Sequence, residues 1–170
     1  MSEKNFIGNQ IEVMRATDEW QRAGAYSVRI EGMNRQHHIS LREEFDEHDG
    51  PGTRYIVLLD DGYPVATCRF FVPDSAGGKT DTAHMYQGFS GLVMLGRVVV
   101  LPDYRGAGLG ERVMREAESW IRELGYKHIG VDSRIEVVGF YEKLGFRMID
   151  PQDVISGPFV CKCMIKNLSD

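Results

Sequence analysis

Apolar positions along the chain follow two rhythms, a two-residue alternation and a helical repeat, and the places where one gives way to the other define the elements. Residues 10–15 read as a short first strand. Thr17 or Asp18 then supplies an N-cap for a helix carrying Trp20, Ala23, Ala25, Tyr26, Val28 and Ile30 on its apolar positions, a pattern that weakens near Gly32. Arg54 to Asp60 and Tyr63 to Val72 are rich in β-branched and aromatic residues and flank Asp60-Asp61-Gly62, which predicts a hairpin of adjacent antiparallel strands. Residues 74–91 have no period and abound in Gly, Ser, Asp and Thr. They read as a long connection, either a functional loop or a surface insertion.

The second half repeats the alternation of strand and helix. A strand from Leu92 to Leu101 precedes Leu109, Val113, Met114, Ala117, Trp120, Ile121 and Leu124, which recur at helical spacing up to a Gly125 stop. His128 to Val131 predicts a buried fifth strand and Glu136 to Leu144 a short helix closed by Gly145. Phe146 to Ile149 and Phe159 to Ile165 predict two more strands. The order is mixed α/β throughout, with no internal repeat, heptad pattern or low-complexity tail.

Composition narrows the class. With 170 residues, 42% of them hydrophobic, the chain suits one compact domain over 1–170. A net charge of −5 argues against a nucleic-acid partner, which would call for a basic face. No apolar run of signal-peptide or membrane-spanning length follows Met1, so a cytoplasmic protein with no membrane partner is expected. Cys68, Cys161 and Cys163 are odd in number and fit reduced packing thiols better than a disulfide framework. Cys161-x-Cys163 alone is a poor zinc motif, and no metal is expected.

The densest chemistry lies in Val98-Val99-Val100-Leu101-Pro102-Asp103-Tyr104-Arg105-Gly106-Ala107-Gly108-Leu109-Gly110, where an apolar strand meets a glycine turn and a helix start. The first N–H groups of a helix lack internal partners and the macrodipole turns its positive end outward, so an anion can settle there. A dinucleotide fingerprint fails because its sixth position, counted from Gly106, is Glu111. A Walker A loop fails because Gly110 is followed by Glu111 and Arg112 rather than Lys and Ser or Thr. What remains is Arg105-x-x-Gly108-x-Gly110, with Arg112 and Arg115 expected nearby.

This Arg-x-x-Gly-x-Gly turn after a Val-rich strand resembles the GNAT superfamily of N-acetyltransferases. Phe140-Tyr141-Glu142-Lys143-Leu144-Gly145-Phe146 resembles that superfamily's C-terminal helix and turn, and the two motifs occur in the family's order and separation over roughly residues 92–150. The resemblance implies a mixed, mostly antiparallel sheet of six to seven strands flanked by about four helices, with the fourth and fifth strands splayed. It also implies acetyl-CoA as co-substrate: its pantetheine arm beside Val98, Val99 and Val100, and its pyrophosphate on Arg105, Gly106, Ala107, Gly108, Leu109 and Gly110. Tyr141 would protonate the departing thiolate; the alternative is a packing aromatic. Arg134 stands where many members have Asn or Gln, and Val137 replaces a common small residue.

The acceptor side is less marked. Arg97, in an otherwise apolar strand, either faces the acceptor cleft and meets a carboxylate or ends with its head in solvent. Glu43-Glu44-Phe45-Asp46-Glu47-His48-Asp49 ordinarily would be a solvated face, yet Phe45 suggests that one side packs down, which makes Glu44 and Asp46 candidates for binding a cationic amine. His37 and His38 could titrate near neutrality or merely lie at the surface.

A looser likeness to one GNAT branch and to acyl-homoserine-lactone synthases runs through Ala25 to Arg29, Glu44 to Asp46 and Val65 to Phe70. Those synthases lack a good Arg-x-x-Gly-x-Gly turn. The expectation is therefore transfer of an acetyl group to a primary amine of a small molecule or peptide. A non-catalytic acyl-CoA sensor and a signal synthase are the alternatives, and strand edges near the C-terminus admit a homodimer.

Overall fold

A computed structural model describes residues 10–73 and 82–169. Its strands are β1 (Ile11–Arg15), β2 (Arg54–Asp60), β3 (Tyr63–Phe71), β4 (Leu92–Val100), β5 (His128–Arg134), β6 (Arg147–Met148), β7 (Val154–Ser156) and β8 (Phe159–Asn167). The helices are α1 (Glu19–Arg29), the very short α2 (Arg35–His37) and α3 (Leu41–Glu44), then α4 (Leu109–Glu123) and α5 (Val138–Lys143). The sheet order is β1-β2-β3-β4-β5-β8-β6, with β7 also paired to β8. β4 and β5 run parallel, pairing Leu92 with His128, Val93 with Ile129 and Met94 with Gly130, whereas β1 with β2 and β8 with each of its partners are antiparallel.

The mixed, mostly antiparallel sheet expected from sequence is present, with one strand more than expected. The addition, β7, is only 3 residues long, too short for an alternating pattern to register, and β8 supplies the partner that makes it a strand. Of the connection expected over 74–91, residues 74–81 lie outside the described residues. The rest includes a 3-10 turn at Ala83–Tyr86.

Contacts divide the chain into two compact units. Among the described residues, one comprises 10–44, 54–69 and 97–117, the other 45–53, 70–73, 82–96 and 118–169. In the first, Asp18 caps α1 through a capping box: Gln21 Oε1 accepts from the backbone N–H groups of Asp18 at 3.0 Å and Thr17 at 2.7 Å. Near Gly32, where the helical pattern weakens, the chain does not leave the helix. It widens into a π turn, Ile30–Asn34, and continues through α2 until His38 takes a left-handed φ of 53°. Gly32 is required here for room: a Cβ on it would fall 2.4 Å from Val99 Cγ1. Ala25, Val28, Ile56, Val57, Leu58, Leu109 and Val113 are buried in this unit. Each large apolar side chain so placed contributes about 1.5–3 kcal/mol relative to exposure.

The second unit buries Phe70, Val93, Met94, Ile121, Ile129, Val131, Phe146, Met164 and Ile165. Its last strand is tied to helical backbone by Lys166, which donates to the Glu118 carboxylate at 2.7 Å and to the Leu144 carbonyl at 2.6 Å. Arg122 donates to the Leu168 carbonyl at 2.6 Å. All three cysteines are free and buried, as the odd count suggested. Among the described residues, no helix is long and apolar enough to cross a membrane.

Candidate active site

The glycine turn is held from behind by three separate fastenings. The Leu101 N–H donates to the Val65 carbonyl at 2.9 Å, the Tyr104 hydroxyl to Asp60 at 2.6 Å, and Arg105 Nε to the Val100 carbonyl at 3.0 Å. The bond to Asp60 raises the Tyr104 phenol to about 12, with burial adding to the shift. Beyond these fastenings Gly106 and Gly108 take φ values of 81° and 79°, which side-chain-bearing residues rarely adopt, and a Cβ at either would meet nothing within 4 Å. The turn thus keeps open space against its backbone, and α4 starts at Leu109 for 15 residues. Val98, Val99 and Val100 lead directly into it. Of the arginines expected near the turn, Arg115 bonds to Glu111, one helical turn back, at 2.9 Å from its Nε. That i,i+4 pairing competes with any ligand for its charge.

Arg97 does meet a carboxylate, and it is Glu44. Its Nε lies 3.2 Å from Glu44 Oε1 and its Nη2 donates to the Glu44 carbonyl at 3.2 Å. Arg29, with none of its side chain exposed, donates from Nε to the same Oε1 and from Nη2 to the same carbonyl, both at 2.9 Å. Two guanidiniums therefore converge on one carboxylate and on the last carbonyl of α3, where a helix end favours cations. Glu44 is 2% exposed, so the solvated face expected of the acidic run is overturned at this residue: burial between two arginines holds it inside. Arg97 also has a φ of 51° in the middle of β4, a left-handed residue in a strand.

Asp46 caps a short turn, the 3-10 segment Glu47–Asp49, and its carboxylate accepts from the His48 N–H at 2.9 Å. Both belong to the second unit, where His48 is 4% exposed and stacks on Phe71 with ring centroids 4.1 Å apart. The His48 Nδ1 has no hydrogen-bond partner among the described residues. Tyr141 is 7% exposed on α5, its ring edge-on to Phe140 at 5.1 Å and to Phe146 at 5.7 Å. These aromatic neighbours fix its ring. The backbone carbonyl of Tyr141 accepts from Leu144 and Phe146 and closes the helix, with Gly145 at a φ of 92°.

The second unit also contains a group the sequence did not single out. Asp132 on β5 accepts from the Tyr86 hydroxyl at 2.7 Å, the Thr82 hydroxyl at 2.7 Å and the Cys163 thiol at 3.4 Å. Burial and then the Asp132 charge push the Tyr86 phenol far above its ordinary range, and the same two causes raise the Cys163 thiol to about 12. A carboxylate interrupting the apolar run Ile129-Gly130-Val131 was the available signal. Its donors lie 31 to 50 residues away in sequence and could not be read from spacing.

A mixed sheet with a parallel β4–β5 pair, a glycine turn opening a long helix after β4, and a Tyr-bearing helix after β5 define an acyltransferase class, and comparison with known proteins agrees. Residues 14–146 match the profile of the acetyltransferase (GNAT) family, and the chain belongs to that family. An uncharacterized acetyltransferase of Streptococcus pyogenes serotype M1 is 27% identical over 128 residues, 75% of this chain and 79% of that protein. The uncharacterized N-acetyltransferase YjcF of Bacillus subtilis is 26% identical over 140 residues, 82% of this chain and 88% of that one. Among solved structures, Escherichia coli ElaA superposes with a TM-score of 0.72 at 17% identity, covering 92% of this chain and 99% of that one. An acyl-CoA N-acyltransferase from Pseudomonas aeruginosa superposes at 0.73 and 18%, with the same coverage. At such identities these two structures speak to the fold.

Proposed function

We propose that the protein is an N-acetyltransferase that moves an acetyl group from acetyl-CoA to a primary amine of a small molecule or peptide. The observation that carries this reading is the turn from Arg105 to Gly110, with its two left-handed glycines, open backbone surface and position at the start of a 15-residue helix. An anionic pyrophosphate suits such a turn because backbone N–H groups and the helix dipole bear on it without a side chain intervening. Gly106, Ala107, Gly108, Leu109 and Gly110 would hold the diphosphate. Arg105, fixed by its bond to the Val100 carbonyl, would hold it with them. The backbone of Val98, Val99 and Val100 would accept the pantetheine arm in the manner of an added strand.

In the reaction the amine lone pair forms a bond to the thioester carbonyl carbon, and the carbon–sulfur bond breaks with its electron pair on sulfur. Tyr141 gives its phenolic proton to that thiolate. The proton lost by the new amide nitrogen restores the phenol, so that amide, thiol and one proton leave when the acceptor enters as an ammonium. Replacing Tyr141 with Phe keeps the aromatic packing with Phe140 and Phe146 and removes only the hydroxyl. A fall in kcat of about 10²-fold or more with unchanged KM for acetyl-CoA is expected, read as thiol release across a panel of amines. Full turnover with an unchanged pH profile would exclude the acid role. Tight CoA binding without thiol release from any amine would favour a sensor instead. The protein is read as cytoplasmic and free of nucleic-acid and membrane partners, in keeping with its net charge of −5.

A further inference from the structure

We infer that Asp132 is the anchor for the ammonium group of the acceptor, an assignment that rests on the acetyl-transfer reading and names the charge its acceptor carries. The carboxylate sits on β5 two residues after Gly130, the last β5 residue paired with β4. It is half-buried and takes three hydrogen bonds, all from neutral groups: Tyr86 and Cys163 on Oδ1, Thr82 on Oδ2. A carboxylate offers about four lone-pair positions, so one on Oδ2 remains. None of the ion pairs among the described residues includes Asp132. A carboxylate served only by neutral donors has no counter-charge within the fold, and an arriving ammonium supplies one.

The surroundings set the rest of the acceptor's chemistry. Tyr86 and Cys163 belong to a buried apolar cluster with Phe71, Met94 and Ile165, so two of the three donors to Asp132 are held in place by the core. Gly130 keeps that arrangement in register: a Cβ there would lie 2.7 Å from both Met94 Sδ and the Tyr86 ring. The open position on Oδ2 fits a primary alkylammonium. Thr82 and Tyr86 also give the segment after residue 81 a purpose, since both hydroxyls aim the carboxylate rather than neutralise it.

The test uses 2-phenylethylamine and 2-phenylethanol, a pair alike in shape and different in charge, added to wild type and to Asp132→Asn at fixed ionic strength. Expected is a rise in melting temperature of wild type with the amine and none with the alcohol, and loss of the amine effect in the variant. In thiol-release assays the variant should raise the KM for the amine about tenfold or more, the scale of one lost charge-assisted bond, and leave the KM for acetyl-CoA unchanged. Tyr86→Phe should retain amine binding, because it frees a lone pair instead of removing charge. Equal shifts with amine and alcohol in wild type, or an unchanged amine KM in Asp132→Asn, would overturn the anchor; the first comparison needs no variant to fold. Amine binding that depends on Asp132 without any thiol release would keep the anchor and overturn acetyl transfer. Thiol release at equal KM in both proteins would do the reverse.

Discussion

Two carboxylates, the buried Glu44 and the half-buried Asp132, are treated in opposite ways in this protein. Glu44 is gripped by Arg29 and Arg97 and by no less than two guanidinium contacts to its own carbonyl. Asp132 receives hydroxyl and thiol donors only. A charge matched by opposite charges is already satisfied and serves the fold. One that is solvated by neutral dipoles keeps its charge available, which is what a ligand needs. Burial of an acid is thus an ambiguous sign until the formal charge of its partners is counted.

The comparison breaks most visibly at Glu44. Glu44→Gln removes the carboxylate charge that the fully buried Arg29 bonds at 2.9 Å, and a loss of about 3–5 kcal/mol is expected in urea unfolding, as for other buried pairs deprived of one partner. Gly32→Ala tests the same region through shape, since the added methyl lands on Val99; about 1–3 kcal/mol should go. Asp132→Asn should cost only about 1 kcal/mol, because the amide oxygen still accepts from the Thr82 hydroxyl, the Tyr86 hydroxyl can donate to the Val131 carbonyl at 2.8 Å instead, and no buried cation is stranded. A stability loss at Asp132 as large as that at Glu44 would erase the distinction. The smallest effect concerns Glu118. Burial alone would raise its carboxyl, yet Lys166 and Arg122 together hold it below the ordinary value. A depressed carboxyl contributes stability above the unfolded value of about 4.3 and loses it as pH falls through the folded one. Glu118→Gln should therefore lower the melting temperature slightly at neutral pH and leave it unchanged at the acid end, so that the acid limb of melting temperature against pH flattens.

Much of this was legible in the chain because the determinants are local. Asp18 and Gln21 stand three residues apart and cap α1; β2 and β3 carry their own turn at Asp61-Gly62, where both residues take positive φ. The glycine turn could be separated from two rival motifs by counting. What escaped was decided at long range. Glu44 lies 15 residues from Arg29 and 53 from Arg97, so its run of acidic neighbours pointed to solvent while its partners drew it inside. Asp132 is selected by residues of a poorly patterned connection and of the last strand. The π turn at Ile30–Asn34 was hidden because Gly32 weakens a helix statistically, whereas here the missing side chain makes the packing against Val99 possible.

The left-handed backbone of Arg97 has a consequence for how this position can change over evolutionary time. Its φ of 51° favours glycine or asparagine and penalises a longer side chain by about 1–2 kcal/mol, whereas its ion pair with Glu44 calls for a guanidinium. Chain and charge select for different residues. Substitutions that suit the backbone desert Glu44, and those that suit Glu44 strain the backbone, so few single steps are open. Drift at residue 97 has to be concerted with residues 44 and 29, and a saturation library at this one codon should return arginine far more often than its intrinsic preference for such a conformation allows.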